Sequence, residues 1–588
     1  MVFYPPAWVP KLPFDPPDNV PISDFMLDDR YGRYPIADSR PMFTCGLSGQ
    51  SYTAPQVKER VDFLARGLAK ELGWAPNTGS EWDKVIGVFS LNTLDTVPLA
   101  WAAHRLGGLQ TPANAQYSVA EVVYQLKDSK AKALFTCLPL LESALQAAKQ
   151  VGIPRNRVYI LELAKEATGG ATNSEFKTVS QLVEEGSKLP TLEPLKWSKG
   201  EGARRCAFLC YSSGTSGLPK GVVISHRNVI ANTLQIDVYE KTFRNILAKG
   251  VRGPYLENVL GLLPMSHIYS LVVICHAGVY RGDGLIILPK FEFKSYLHAI
   301  QDYKINTLYL VPPIIILMAK NKGVLEQYDL SAVKAIFTGA APLGEETSTE
   351  LNAIYPKWLI RQGYGLTETC TVVCSTSGQD IWLGSSGSLL PGIEARIVAL
   401  DGAEITTYDT PGELLVKSPA VVIGYLANDK ANAETFVADS EGGRWMRTGD
   451  EAVIRKAPSG NEHIFIVDRI KELIKVKGLQ VAPAELEAHL LTHEYVADCA
   501  VIPVPDEQAG EVPKAFVVKS GSVGLEESDR LVKRAIQKHV EEHKARHKWL
   551  KGGVEFIDVI PKSASGKILR RLLRDKEREA RKKKGAKL

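Results

Sequence analysis

No stretch of this chain is apolar for long enough to cross a membrane. Runs such as residues 270 to 280 and 309 to 319 stop well short of the roughly 18 to 20 residues that a bilayer demands. A soluble chain is expected. Nor is there an excess of charge of one sign. Lys and Arg number 71 against 66 Asp and Glu, a net +5, and residues 571 to 588 alone hold nine basic and three acidic residues, a local +6. The other 570 residues therefore carry −1, which excludes a nucleic-acid-binding face spread over the fold. Cysteine is sparse: the eight residues at 45, 137, 206, 210, 275, 370, 374 and 499 are scattered and mostly sit in apolar segments. Cys206 with Cys210 and Cys370 with Cys374 are close in sequence, but neither pair has the CxxC spacing or the histidines of a zinc site. The opening residues do not read as a secretory leader, so buried free thiols in a reducing compartment are expected. Fixed-period repeats and low-complexity segments are lacking too, and Gly (48) and Pro (34) are ordinary, which removes collagen-like and coiled-coil readings.

What is present is length and alternation. At 588 residues the chain is several times the usual domain size and is expected to form at least two domains with ample core. Residues 56 to 72 place Val57, Val61, Leu64, Leu68 and Leu72 on one helical stripe, and residues 84 to 91 read as a buried strand. Residues 93 to 106 look helical, while 132 to 137, 305 to 311 and 333 to 337 look like strands, the last ending at the break Gly339-Ala340-Ala341-Pro342. This predicts an α/β body with largely parallel sheets. After Asp450 the character changes. Short strands at 464 to 467, 499 to 504, 515 to 519 and 554 to 560 alternate with helices at 483 to 491 and 530 to 543, enough for a compact α+β unit. We expect a large domain over 1–467, a linker at 468–471 and a small domain over 472–588.

The strongest local signal is Tyr211-Ser212-Ser213-Gly214-Thr215-Ser216-Gly217-Leu218-Pro219-Lys220-Gly221, behind the apolar residues 207 to 210. Its glycines, hydroxyls and lysine can surround phosphate oxygens with backbone N–H groups and side-chain donors. It is not a Walker A loop, because the GxxxxGK[ST] order is absent. Alone, such a loop is equally a flexible Gly/Ser turn between strands.

It is not alone. Further along come Gln362-Gly363-Tyr364-Gly365-Leu366-Thr367-Glu368-Thr369, then Thr448-Gly449-Asp450 and Asp468-Arg469-Ile470-Lys471-Glu472-Leu473-Ile474-Lys475-Val476-Lys477-Gly478. The last is Pro561-Lys562-Ser563-Ala564-Ser565-Gly566-Lys567. In this order over nearly the whole chain, these segments resemble the adenylate-forming superfamily, within it the 4-coumarate:CoA ligase-like and luciferase-like group, and especially fungal peroxisomal phenylacetyl-CoA ligases. The resemblance implies an adenylate-forming fold, a large multi-subdomain N-terminal α/β domain with a small mobile α+β C-terminal domain. It implies two half-reactions as well. A carboxylate attacks the α-phosphate of ATP to give acyl-AMP and pyrophosphate, and the thiol of coenzyme A then displaces AMP.

By that resemblance, Ser212, Ser213, Gly214, Thr215, Ser216, Gly217 and Lys220 hold the β- and γ-phosphates. Tyr364, with Gln362 and Gly363, packs on adenine beside Gly339 and Ala340. Thr367 contacts the α-phosphate, Glu368 binds Mg²⁺, and Asp450 takes both ribose hydroxyls with help from Arg469. Lys567 bridges the attacking carboxylate and the α-phosphate. Lys471 marks a pivot about which the small domain turns between half-reactions, withdrawing Lys567 and bringing up Lys475, Lys477 and Gly478, with Lys290 a further candidate for a coenzyme A phosphate. His267 stands between the carboxylate site and an acyl pocket lined by Tyr269, Gly339, Val372 and Val373. The expected needs are ATP, Mg²⁺, coenzyme A and a carboxylic acid.

The substrate is less defined. The plant coumarate ligases carry Gly-Glu-Ile-Cys-Ile-Arg-Gly where this chain has Gly412-Glu413-Leu414-Leu415-Val416-Lys417-Ser418, so coumarate is not implied. An aryl or aryl-acetic acid is expected first and a medium-chain fatty acid next. An adenylating enzyme with an acceptor other than coenzyme A, or a non-catalytic binding relative, are the rival readings. Ala586-Lys587-Leu588 resembles the Ser-Lys-Leu peroxisomal address, with the preceding basic run expected to stay extended, so an import receptor and a peroxisomal location are expected. No nucleic acid, no stable membrane insertion, and a monomer or homodimer complete the expectations.

Overall fold

The computed structural model describes residues 1–172, 175–212, 219–249, 253–399, 401–521, 528–563 and 566–585. Four sheets organise them. The first has seven strands, in the order Gly424–Tyr425, Lys220–Ser225, Cys206–Ser212, Leu109–Ala113, Val85–Phe89, Ala133–Thr136 and Val158–Ile160. Leu109–Ala113, Val85–Phe89, Ala133–Thr136 and Val158–Ile160 pair in parallel and are buried along their whole length, as strands covered on both faces are, while Cys206–Ser212 and Lys220–Ser225 pair antiparallel. The second has nine strands, with Asn258–Gly261, Thr307–Leu310, Ala335–Thr338 and Leu359–Leu366 side by side in parallel at its centre. The third, of six strands, runs from Glu394–Val398 through Gly412–Lys417 and Arg444–Lys456 to Glu462–Arg469. A fourth, of five strands, is built on the long hairpin Val496–Asp506 and Gly510–Lys519.

Local chemistry accounts for the elements. The helix Ala54–Leu72 starts at Thr53, whose side chain accepts from the Gln56 N–H while Gln56 reaches back to the Thr53 N–H. The five apolar residues of its stripe are all buried. Strands at Val85–Phe89, Ala133–Thr136 and Thr307–Leu310 fall inside the segments expected from sequence, and Ala335–Thr338 runs one residue past its expected end.

Two expectations need correction. The sheets are not largely parallel throughout, because every pairing in the third sheet is antiparallel. Short turns join Glu394–Val398 to Glu404–Ile405 and Arg444–Lys456 to Glu462–Arg469, connections that permit only antiparallel neighbours. The basic C-terminal run is not extended either: Arg570–Gly585 is a helix. Arg570, Leu573 and Glu577 form its buried stripe. The Arg570 guanidinium donates to Glu472 at 2.7 Å and to Glu487 at 2.6 Å, and Glu577 pairs with Lys514.

Ile474, Phe516, Val532, Leu573 and their neighbours between 474 and 573 make a core of their own, separate from the cores of the preceding sheets. The two bodies touch where chemistry is expected. Lys320, ending the helix Pro312–Lys320, donates from Nζ to the Val496 carbonyl at 3.0 Å, and a Cβ on Gly566 would meet Pro313 and Val311 at 3.4 Å. All eight cysteines are buried and free, and among the described residues no helix is long and apolar enough to cross a membrane.

Candidate active site

The cleft between the two bodies collects side chains from distant parts of the chain. Asp450 lies on Arg444–Lys456 directly across from Arg469 on Glu462–Arg469, so the antiparallel register sets them as partners. The Arg469 Nε stands 3.9 Å from Asp450 Oδ1, and the Tyr364 hydroxyl donates to Oδ2 at 2.6 Å. Asp450 is buried, and burial pushes its carboxyl up to about 6 even though Arg469 pulls the other way. Thr448 fixes the approach by accepting from the Asp450 N–H and donating to the Leu414 carbonyl. A carboxylate with two oxygens and a partner hydroxyl is suited to a vicinal diol, which needs two acceptors on one group.

Tyr364 is positioned by glycines that the strand cannot replace. A Cβ on Gly363 would fall 2.6 Å from the Phe337 ring, and one on Gly365 would fall 1.4 Å from the Thr371 carbonyl oxygen. The flanking turn Gly339-Ala340-Ala341 holds Ala340 at φ 72, a left-handed conformation that a residue with a Cβ rarely adopts. Gln362 ties this turn down, accepting from the Leu343 N–H at 2.8 Å and donating to the Ser385 carbonyl at 3.1 Å.

Glu368 sits on the short turn Thr367–Thr369, which ends in Cys370 at φ 54. Its Oε1 accepts from the Tyr425 hydroxyl at 2.9 Å and from Ser212 Oγ at 3.2 Å. Lys220 places its ammonium 4.2 Å from the centre of the Tyr425 ring. Ser212 and Lys220 thus mark the two ends of the hydroxyl-rich loop beside one carboxylate. Ser213, Gly214, Thr215, Ser216 and Gly217 lie outside the described residues.

Lys567 enters this cleft from the small body. Arg469, Glu472, Glu368 and Asp450 all act on its charge. Burial, with Arg469 next, lowers its ammonium to about 8. His267 feels the same cation: burial first and Lys567 second hold it down at about 4, so it is neutral at pH 7. Its Nδ1 accepts from the Tyr269 N–H. Behind it, the Tyr269 hydroxyl donates to the Phe337 carbonyl at 2.8 Å, and a Cβ on Gly339 would lie 3.7 Å from the Tyr269 ring. On the other side of Phe337 lies a cavity, lined by Ile236, Tyr239, Val273, Tyr309, Phe337 and Val372 among others. Of the four residues expected to line an acyl pocket, only Val372 is part of that lining; Tyr269, Gly339 and the fully buried Val373 are not.

The structure therefore brings together Ser212, Lys220, Tyr364, Glu368, Asp450, Arg469, His267 and Lys567. It does not bring in Lys471, Lys475, Lys477, Gly478 or Lys290, all of which are exposed. Lys477 at φ 50 and Gly478 at φ 81 form the two-residue turn of the hairpin between Ile474–Val476 and Leu479–Val481, the geometry of a type I′ turn. The backbone N–H groups of Lys475 and Lys477 bond Glu511 and Ala509 within the small body. Sequence reasoning missed Tyr425, Tyr239, Tyr309 and Lys320. None stands in a spaced motif, and Tyr425 meets Glu368 only because Gly424–Tyr425 pairs with Lys220–Ser225.

Comparison with known proteins accords with this arrangement. Residues 36–426 match the model of the AMP-binding enzyme family and residues 485–567 that of the AMP-binding enzyme C-terminal domain. The acyl-CoA ligase cm3C of Cordyceps militaris is 41% identical over 592 residues, covering 98% of this chain and 90% of that protein. The acyl-CoA ligase easD of Emericella nidulans is 42% identical over 577 residues, covering 98% and 100%. Among solved structures, the anthranilate CoA ligase AuaEII in complex with anthranoyl-AMP superposes with a TM-score of 0.77 at 22% identity, covering 95% of this chain and 97% of that one, a likeness of fold. With both family domains in order and relatives of this kind matched over nearly their whole length, the chain belongs to the AMP-binding enzyme family, among its acyl-CoA ligases.

Proposed function

We propose that this protein is an ATP-dependent acyl-CoA ligase that makes an acyl-adenylate and pyrophosphate, then acyl-CoA and AMP, with an aryl or aryl-acetic acid as substrate. The observation that carries the reaction is the convergence of Lys567 with Glu368, Asp450, Arg469 and His267 in one cleft drawn from both bodies. Adenylation joins two anions, and it needs a cation fixed at the point where they meet. Lys567 supplies that cation. Asp450 accepts the ribose hydroxyls, Tyr364 offers its ring to the base, and Ser212 with Lys220 faces the phosphates. His267, neutral at working pH, orients the incoming carboxylate without placing a second cation next to Lys567.

Glu368 has the donor chemistry for a hard divalent cation, a carboxylate beside a serine hydroxyl at a phosphate-facing turn. Mg²⁺ when bound there would offset phosphate charge. The acyl cavity supports the substrate class, since Tyr239, Tyr309 and Phe337 give it aromatic walls and Ile236, Val273 and Val372 apolar ones.

In this reading residues 1–467 bind nucleotide and acid, 468–471 is the pivot with Lys471 at its end, and 472–588 turns. Lys475, Lys477 and Gly478 meet coenzyme A only after that turn, with Lys290 on the opposite lip, which agrees with their exposure in the Lys567-engaged arrangement. Ala586-Lys587-Leu588 lies outside the described residues. We propose it as a peroxisomal address, tested by comparing the location of fluorescent fusions with and without the tripeptide.

The deciding experiment is pyrophosphate release and thioester formation by the purified chain with ATP, Mg²⁺ and coenzyme A, across aryl, aryl-acetic, cinnamic and C6 to C12 fatty acids. Preference for aryl acids supports the reading. Preference for fatty acids replaces the substrate class, pyrophosphate that appears without any thioester points to another acceptor, and silence with every acid removes the activity.

A further inference from the structure

The acyl cavity is not closed by hydrocarbon. Phe337 stands between Tyr269 and Tyr309, with ring centres 6.1 Å and 5.8 Å away, so Tyr309 lies one ring further from the reacting end. Tyr309 and Glu240 both line the cavity. Their hydrogen bonds are incompletely used. The Tyr309 oxygen accepts from Arg281 Nη2 at 3.3 Å, which leaves the phenolic hydrogen without an acceptor among the described residues. Arg281 is itself buried, anchored by Nε to Asp283 at 3.1 Å, and its Nη1 has no partner. Glu240 accepts from both terminal nitrogens of Arg361, which consumes one lone pair on each oxygen and leaves one on each free. The other two polar side chains of the lining, Tyr239 and Ser375, spend their hydroxyl hydrogens on the Ser375 and Thr376 carbonyls.

A buried donor with no acceptor costs free energy unless a ligand or water completes it. Tyr309 offers a hydrogen and Glu240 offers a lone pair in the same cavity, the complement of an alcohol, which accepts one bond and donates another. A hydrocarbon end would leave both unmet. A second carboxylate would face the anion of Glu240, which Arg361 keeps ionised.

Resting on the ligase reading above, we propose that this enzyme selects carboxylic acids that carry a hydroxyl group at the end remote from the carboxylate, with Tyr309 donating to that hydroxyl and Glu240 accepting from it. Tyr309 is then a specificity residue, remote from the reacting atoms. The class includes ring-hydroxylated aryl-acetic acids and terminally hydroxylated chain acids, and it excludes dicarboxylic acids of the same length.

The test uses the full chain and matched pairs: 4-hydroxyphenylacetate with phenylacetate, and ω-hydroxy acids of C6 to C12 with their parent and dicarboxylic counterparts, read as kcat/KM for pyrophosphate release. Wild type is expected to favour the best hydroxy acid over its parent by about tenfold or more, with the dicarboxylic acid poorest. Tyr309→Phe keeps the ring and is expected to cut that ratio about tenfold. A melting curve shows whether the variant is folded, and the wild-type ratio stands independently of it. Parent acids used as well as or better than hydroxy acids overturn the proposal and leave the ligase reading intact. So does a ratio unchanged in folded Tyr309→Phe. Silence with every acid removes both.

Discussion

The hydroxyl of Tyr364 and the carboxylate of Asp450 are joined by a 2.6 Å hydrogen bond across two different sheets, Tyr364 on Leu359–Leu366 and Asp450 on Arg444–Lys456. One contact thus fastens the side proposed for the base to the side proposed for the ribose before any nucleotide arrives. The anion it holds is expensive, because burial outweighs the help of Arg469 and raises Asp450 to about 6.

Asp450→Asn should therefore stabilise the nucleotide-free protein while disabling it. With the folded value near 6 and an ordinary value of 3.8, the ionised carboxyl costs about 3 kcal/mol above pH 6. The sign is that of a raised carboxylate. The gain in melting temperature should be full at pH 8 and fade as pH falls from 6 towards 3.8, where the wild-type carboxyl takes up its own proton. Melting curves across pH read this directly, and KM for ATP should rise in parallel. An Asn variant that melts lower at pH 8 would contradict it.

Lys567→Ala should lower pyrophosphate release by about 10²- to 10³-fold, the usual effect of deleting one group that stabilises transition-state charge. Thioester formation from preformed acyl-AMP should be spared. Equal loss of both steps would remove the role given to the lysine.

The same lysine should set an alkaline limb. Its ammonium is lowered to about 8, so the free enzyme loses the cation as pH rises through that value. We expect kcat/KM for adenylation to fall above pH 8. Lys567→Arg, charged across the whole range, should abolish that fall whatever its absolute rate.

Lys320→Ala removes a side chain that grips the small body through the Val496 carbonyl. With the contact worth about 1 kcal/mol, the Lys567-engaged arrangement should be about fivefold less populated. Adenylation should slow by that factor and thioester formation should not. Rapid-mixing assays of the two half-reactions separate these outcomes.

Gly365→Ala should not be tolerated. Its Cβ would lie 1.4 Å from the Thr371 carbonyl, so the strands bearing Tyr364 and Val372 must part, at about 3 kcal/mol. A lower melting temperature together with lost ATP binding is expected. Wild-type behaviour in both would show that the strands can reseat.

Much of the α/β body is legible in the sequence because its signals are local. The helix Ala54–Leu72 announces itself by apolar spacing and by a Thr-x-x-Gln start, and inner parallel strands by short apolar runs such as Val85–Phe89. The third sheet is less legible, since its antiparallel strands, such as Arg444–Lys456, mix buried apolar residues with charged and polar ones, and only residues 464 to 467 stand out as a strand. The C-terminal helix was hidden for another reason. Its buried stripe is Arg570, Leu573 and Glu577, two charges and one leucine, so an analysis that counts apolar residues finds no period. At the site, motif order suggested which residues matter, but only the strand pairing explains why Tyr425 faces Lys220 and Glu368. Tyr309 and Arg281 owe their meeting to tertiary packing alone, and no spacing encodes it.

Arg570 lies three residues beyond Lys567 and is clamped between two buried glutamates, Glu472 and Glu487. The segment that carries the cleft cation is thereby bolted to the interior of the small body, not draped over its surface. In the turn proposed for the small body, Lys567 therefore leaves the cleft together with some hundred residues of packed core, so its charge is withdrawn with a whole body and not by one side chain changing rotamer.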